Sequence, residues 1–239
     1  MWTLDFGPET RNFVSRMSNA LIVFAKAPLV GQAKTRLCPP LSPAAAAELA
    51  RCFLIDTVER ACRLPMVQVF LAITPVESEP LFRALLPFPV EYFAQRGTSL
   101  GEREYHSFVD LHQQGATRMV LIGSDIPTLP RAHLQEAFQH LEDERGDAVF
   151  GPSSDGGYYL VGMRVPHREL FEHIAWSTSS VMADTRAQAE KHRLSVTFVP
   201  SWHDVDDKED LARLVAELRH PDSAAHAPRT KTFLTRLGF

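Results

Sequence analysis

Cysteine is scarce in this 239-residue chain, with three residues, Cys38, Cys52 and Cys62, and no CxxC pair among them. A chain of this length can bury a core without covalent staples, so a disulfide framework is excluded and a reducing, cytoplasmic setting is expected. Positive charge is not in excess either. Lys and Arg number 25 against 29 Asp and Glu, a formal net charge of -4, so no global basic field draws the chain onto nucleic acid. No apolar run approaches the roughly 20 residues of a membrane-spanning helix. Residues 1–19 carry dispersed charges and read as an extension, not a signal peptide. Missing too are GxxxxGK[ST] and GxGxxG, the two commonest nucleotide signatures, and GxSxG and HExxH. With ten histidines at no ligand spacing, zinc chemistry and serine hydrolysis lose their support.

What is present is apolar material for one sizeable core, 45% of the residues. It is cut into short runs that suit strands buried on both faces: Leu21–Ala25, Val67–Ile73, Met119–Gly123 and Ala148–Phe150. Shorter strands are expected over Tyr158–Gly162 and Ser195–Pro200. Helical patterns lie between them. Ser42 and Pro43 supply a cap and a first-turn proline; further helices are expected from Pro130, from Ser177 to His192 and from Asp207 to Arg219. Alternation of this kind implies an α/β domain with a mostly parallel, mixed sheet covered by helices on both faces. Its expected limits are 20–220, with 221–239 a C-terminal tail.

In such a sheet ligands bind beyond the carboxyl ends of the strands. The unusual residues fall there. Lys26, Gly31, Lys34 and Arg36 share one loop after the first strand, where cations and backbone amides can surround a diphosphate; a solvated basic loop is the equal alternative. Asp125 follows the central run and can offer oxygen to a hard cation, Mg2+ or Mn2+, although Asp-Ile-Pro also starts turns. Ser124 beside it joins the phosphate-binding set. Asp155 precedes Gly156 and Gly157, whose missing side chains let a sugar or acceptor come close; a plain Asp-Gly turn competes. Asp155 is also the candidate base. Asp206 is a second metal candidate, but Asp206 and Asp207 both look like helix caps, with Glu209 and Asp210 following. Trp176, Ser177 and Thr178 join an aromatic to hydroxyls that suit a sugar or acceptor, with one hydroxyl expected to cap the next helix.

In order along the chain, LIVFAKAPLVGQAKTRL, LGER, VLIGSDIPTLP, VFGPSSDGGYYLVG, WSTSSV and HDVDDKEDLARL resemble a bacterial family of glycosyltransferase-like proteins of the GT-A type. Some of its members are named as arsenosugar biosynthesis glycosyltransferases. The resemblance runs from about Leu21 to Leu218 and extends distantly to phospholactate and molybdenum-cofactor guanylyltransferases. It implies the Rossmann-like nucleotide-diphospho-sugar transferase fold. By the same resemblance Gly31, Lys34 and Arg36 match a phosphate-binding loop, Asp125 the principal metal aspartate, and Asp206 the late acid of DVDTPEDL-like segments. Asp207-Lys208 here replaces Thr-Pro, and proline at 127 removes a DxD. The implied activity is metal-dependent sugar transfer from a nucleoside-diphosphate sugar to a small acceptor. Nucleotidyl transfer from an NTP, and nucleotide binding without turnover, are the alternatives, and a homodimer is one arrangement open to any of them.

Overall fold

The computed structural model describes residues 18–239; most of the expected N-terminal extension, residues 1–17, lies outside the described residues. Seven strands form one mixed sheet: β1 (Asn19–Lys26), β2 (Gln68–Thr74), β3 (Val90–Ala94), β4 (Arg118–Gly123), β5 (Ala148–Pro152), β6 (Tyr158–Met163) and β7 (Val196–Phe198). Their order is β3-β2-β1-β4-β6-β5-β7. Strand β6 runs antiparallel to β4 and β5, and the other pairs are parallel. The α/β architecture with a mostly parallel sheet is the expected one.

Side chains alternate across a strand, so odd and even residues of β1 enter different cores. Leu21, Val23 and Ala25 pack with Leu54 and Val58 of α1 (Pro43–Cys62), Phe82 of α2 (Glu79–Leu85) and Leu134 of α4 (Arg131–Glu142). Ala20 and Ile22 join Phe108 of α3 (Leu100–Gln113) and Met182 of α5 (Val181–Lys191) on the other face. Helix α1 is buried on its far side as well. There Leu49 and Phe53 meet Leu211 and Leu214 of α6 (Lys208–Glu217) and Phe233 of α8 (Pro228–Arg236). Residues 221–239 thus form α7 (Pro221–His226) and α8 on this surface. The buried Asp56 carboxylate of α1 accepts from Thr230 N at 2.9 Å and Thr230 Oγ1 at 2.8 Å, anchoring the start of α8. Among the described residues no helix is long and apolar enough to cross a membrane.

Helix α5 starts four residues later than the sequence pattern suggests. Ser177 has φ 64, a left-handed conformation that no α-helix accommodates, and the helix begins only at Val181. Helix α6 keeps its expected place.

Helix α3 is tied to the start of β6 through a buried acid. Tyr158 Oη donates to Glu104 Oε2 at 2.5 Å. Next to it, a Cβ at Gly101 would collide with the Trp176 ring, so the helix approaches that indole only because position 101 is glycine. Burial pushes the Glu104 carboxyl from 4.5 up to about 8, against the lowering effect of the Tyr158 hydrogen bond. The folded chain therefore keeps a proton that the unfolded chain releases, and stability is greatest below this window and falls as pH rises through it. Glu104→Gln should flatten that slope. Urea unfolding at either end of the window checks it, and an unchanged slope in the variant would remove Glu104 as its source.

Candidate active site

The order of the sheet reverses between β1 and β4, and their carboxyl ends open the crevice where such sheets bind ligands. The chain leaves β4 through Ser124, whose N–H bonds Phe24 O of β1 at 3.1 Å. Asp125 comes next. Its carbonyl accepts from Val205 N at 3.1 Å, which draws the segment after β7 alongside the end of β4. That bond delivers Asp206 to Asp125, 81 positions earlier in the sequence.

Helix capping separates the two neighbouring acids. Asp207 is the N-cap of α6: its Oδ1 accepts from Glu209 N and Asp210 N, both at 3.0 Å. Asp210 Oδ2 answers by accepting from Asp207 N at 3.3 Å and Asp206 N at 3.1 Å. The capping box leaves the Asp206 carboxylate free for other work. It meets Lys34 Nζ at 2.7 Å, and the same nitrogen bonds Asp125 Oδ2. Asp125 Oδ1 accepts from Ser124 Oγ at 2.9 Å.

The Lys34 side chain is 8% exposed, whereas Asp125 and Asp206 are 38% and 45% exposed. Burial on its own would lower the pKa of this ammonium, but the charges of Asp125 and Asp206 outweigh it, and the value ends above the ordinary lysine range. Lys34 is charged throughout the working pH range.

The rest of the phosphate loop faces outward. Lys26 is exposed and donates to Gln32 O at 3.0 Å. Gly31 has φ 74 with open space where a side chain would be, and Arg36 is exposed in the 3-10 turn Thr35–Leu37. The structure thus brings Lys34, Ser124, Asp125 and Asp206 together and leaves Lys26, Gly31 and Arg36 at the surface of the loop.

On the other side of the crevice, Trp202 N bonds Pro152 O at 3.1 Å, carrying the 202–206 segment past the turn that holds Asp155. Asp155 is exposed, and its Oδ1 accepts from Gly157 N at 2.9 Å. The room left by the missing side chain of Gly156, at φ 93, is taken by the Ser179 backbone, so this glycine joins two turns of the protein. Trp176 is half-buried and edge-on to Tyr158, their centroids 6.3 Å apart. Ser177 is exposed, and Thr178 Oγ1 donates to Ala175 O at 2.7 Å.

Asp204 belongs to this cluster and was not singled out from the sequence. Burial, then the charges of Asp206 and Asp155, push its carboxyl up to about 6. The signal that could have found it is the Asp204-Val205-Asp206 alternation, since every second residue of an extended segment lies on one face. Another unforeseen contributor is Arg60 of α1, whose Nη2 bonds Ile126 O at 3.0 Å and whose Nη1 bonds Pro127 O, directly after Asp125. Burial pushes this guanidinium down to about 10, with Asp56 opposing the shift.

Fold and crevice define a nucleotide-diphospho-sugar transferase fold. A crystal structure of a presumptive nucleotide-diphospho-sugar transferase from Desulfovibrio desulfuricans G20 is 32% identical, covers 92% of this chain and 95% of its own, and superposes with a TM-score of 0.85. More distant likenesses, at the level of fold, are CMP:2-keto-3-deoxy-manno-octonic acid synthetase complexed with CTP and 4-diphosphocytidyl-2C-methyl-D-erythritol synthase from Anaerococcus prevotii. The first is 12% identical over 84% of this chain and 99% of its own, with a TM-score of 0.56. The second is 10% identical over 85% and 97%, with a TM-score of 0.57. No curated protein matches. The chain belongs to the family described as "Uncharacterized protein conserved in bacteria (DUF2064)", whose model matches residues 57–178.

The division of labour between the adjacent acids is open to measurement. Asp207→Ala should cost about 1 kcal/mol of stability, as a lost helix cap does, and leave the affinity of any ligand held in the crevice unchanged. If Asp207→Ala weakened binding of such a ligand as strongly as Asp206→Ala, the assignment of cap and crevice residue would fail.

Proposed function

We propose that this protein is a metal-dependent glycosyltransferase that takes a nucleoside-diphosphate sugar as donor and a small molecule as acceptor. The observation that carries this reading is the convergence of Asp125 Oδ2 and Asp206 Oδ1 on a single nitrogen, Lys34 Nζ, beyond the strands where the sheet order reverses. Oxygens that share one ammonium can share one divalent cation, and Mg2+ takes one or two carboxylates plus phosphate oxygens and water. Among the described residues no group of three or more His, Cys, Asp or Glu could hold a metal. A pair of carboxylates suits an ion that completes its shell with phosphate oxygens and water. Bound there, Mg2+ or Mn2+ would offset the charge that develops on a departing diphosphate.

In this reading Lys34, Arg36 and Lys26, with Gly31 and Ser124, grip the diphosphate. Asp155 accepts a hydrogen bond from the acceptor hydroxyl. It takes the proton as that oxygen bonds the anomeric carbon and the bond from that carbon to the diphosphate oxygen breaks. Gly157, Trp176, Ser177 and Thr178 face the sugar or the acceptor, while Gly156, expected from the sequence to do the same, instead seats the Ser179 backbone against this turn. The 32% identity to a presumptive nucleotide-diphospho-sugar transferase supports a sugar donor. Resemblance of the motifs to glycosyltransferases named for arsenosugar biosynthesis supports a small acceptor.

Incubation with labelled UDP-, GDP- and dTDP-sugars, and with NTPs, tests the reaction: free nucleoside diphosphate is expected from a sugar donor. Pyrophosphate from an NTP would replace sugar transfer by nucleotidyl transfer, and release of neither would leave a nucleotide-binding protein without turnover. Asp125→Ala should fold yet lose Mn2+-enhanced nucleotide binding, with Asp206→Ala a smaller version of the same defect. Arg36→Ala should weaken nucleotide binding by about tenfold or more, the scale of a charge-assisted contact. Equal wild-type nucleotide affinity in EDTA and in Mn2+, measured by calorimetry, would end the metal assignment.

A further inference from the structure

Lys34 stands at an unusual point of the chain. Its φ of 49 and ψ of 41 are left-handed, a conformation that residues with a side chain rarely adopt. From there the side chain reaches Asp125, 91 residues away in sequence, and Asp206, 172 residues away. Both contacts use the oxygens that the proposed function gives to a divalent ion. A divalent ion on those oxygens and an ammonium within hydrogen-bond reach of them would be two like charges a few ångströms apart in a half-buried crevice, an arrangement of high Coulomb energy. The two cations exclude one another.

A lysine suits such an exchange. Its charge is compact and carried on a flexible stem, so it can change partners without the planar geometry an arginine demands. Two of its three N–H donors are spent on the carboxylates, and its loop also carries the exposed Lys26 and Arg36 and the unobstructed Gly31. A nucleotide diphosphate arriving at this loop offers the ammonium a replacement anion of equal or higher charge.

We infer that Lys34 is a built-in counter-ion that competes with the divalent metal for Asp125 and Asp206, and that nucleotide phosphates admit the metal by drawing this ammonium away. The inference rests on the proposed metal site and adds to it an order of events. Metal binds the protein weakly until nucleotide is present. Nucleotide and metal then raise each other's affinity by the same factor, as linkage requires.

The decisive experiment titrates Mn2+ into the full chain without nucleotide, following free Mn2+ by electron paramagnetic resonance, for wild type, Lys34→Met, Lys34→Gln and Lys208→Met. Circular dichroism and thermal unfolding first establish which variants fold, and Lys34→Gln serves where Lys34→Met does not. Removal of Lys34 should tighten Mn2+ binding by about tenfold or more, while nucleotide affinity in EDTA falls. Lys208 is an exposed lysine two positions after Asp206 and paired with Glu209, and its loss should change Mn2+ affinity less than about twofold. A folded Lys34 variant that binds Mn2+ no tighter than wild type would overturn the inference. So would an equal gain in Lys208→Met, which would reduce the effect to general charge. The readout needs no turnover. If Lys34→Met gains Mn2+ affinity but no donor yields product, the competition stands and the transferase reading fails. If nucleotide binding depends on Mn2+ but Lys34→Met gains nothing, the metal site stands and the competition fails.

Discussion

A buried strand that ends inside a protein leaves carbonyls that must find donors, and this structure is organised around four of them. After β4 the chain turns away from the sheet with Ser124, Asp125, Ile126 and Pro127. Thr57 Oγ1 donates to the Ser124 carbonyl at 3.3 Å, Val205 N to Asp125 at 3.1 Å and Arg60 Nη2 to Ile126 at 3.0 Å, while Arg60 Nη1 serves Pro127. Two of these donor residues stand on α1 and one on the segment after β7. Satisfying one short turn therefore fixes the central helix, the end of the sheet and the late acidic segment relative to each other. The Asp125 side chain is held by its backbone on both sides. An unpartnered buried carbonyl would cost about 1 to 3 kcal/mol, which is why Arg60 is worth burying despite the desolvation of its charge.

Much of the sheet could be read from sequence because β1 and β4 are covered on both faces and stand out as unbroken apolar runs. Strand β3, at the edge, could not. Its five residues are partly buried or exposed, with Glu91 facing water and Tyr92 under the Arg83 guanidinium at 4.5 Å. Helix α3 was legible in principle: Ser99 and Glu102 carry the S-x-x-E spacing, and Ser99 Oγ does accept from Glu102 N at 3.2 Å. The late start of α5 was not, since the left-handed Ser177 is imposed by the turn that meets Gly156 rather than by serine itself. Helix α8 was lost for another reason. Its anchor is Asp56, 174 residues from Thr230, and short polar segments read as tails until such a partner is known.

The site divides along the same line. Positions next to strand ends can be nominated from sequence, and Lys34, Ser124, Asp125 and Asp206 were. Which of them touch depends on long-range pairing. Asp206 and Asp207 are chemically identical neighbours, and only the point at which α6 begins makes one a cap and frees the other. Asp204 lies near Asp155 because β7 pairs with β5 and the chain then continues past Pro152. No window of local sequence contains that information.

What emerges is a crevice with one acidic wall, fixed by its backbone, and one basic wall. The acids belong to the fixed wall: Asp125 through its turn, Asp206 through the Asp207–Asp210 capping box that immobilises its own N–H. The cations belong to the other wall, a loop whose Lys26 and Arg36 are exposed and whose Gly31 has nothing within 4 Å of the place a side chain would take. Fixed carboxylates avoid the reorganisation that would otherwise accompany cation binding, since the repulsion between them is already built into the fold and offset by Lys34. On the proposed reading, charge at the crevice would change by exchange of partners within a preformed frame. A site whose acids were not held in advance would have to assemble its like charges at the moment of binding, when their repulsion is least screened.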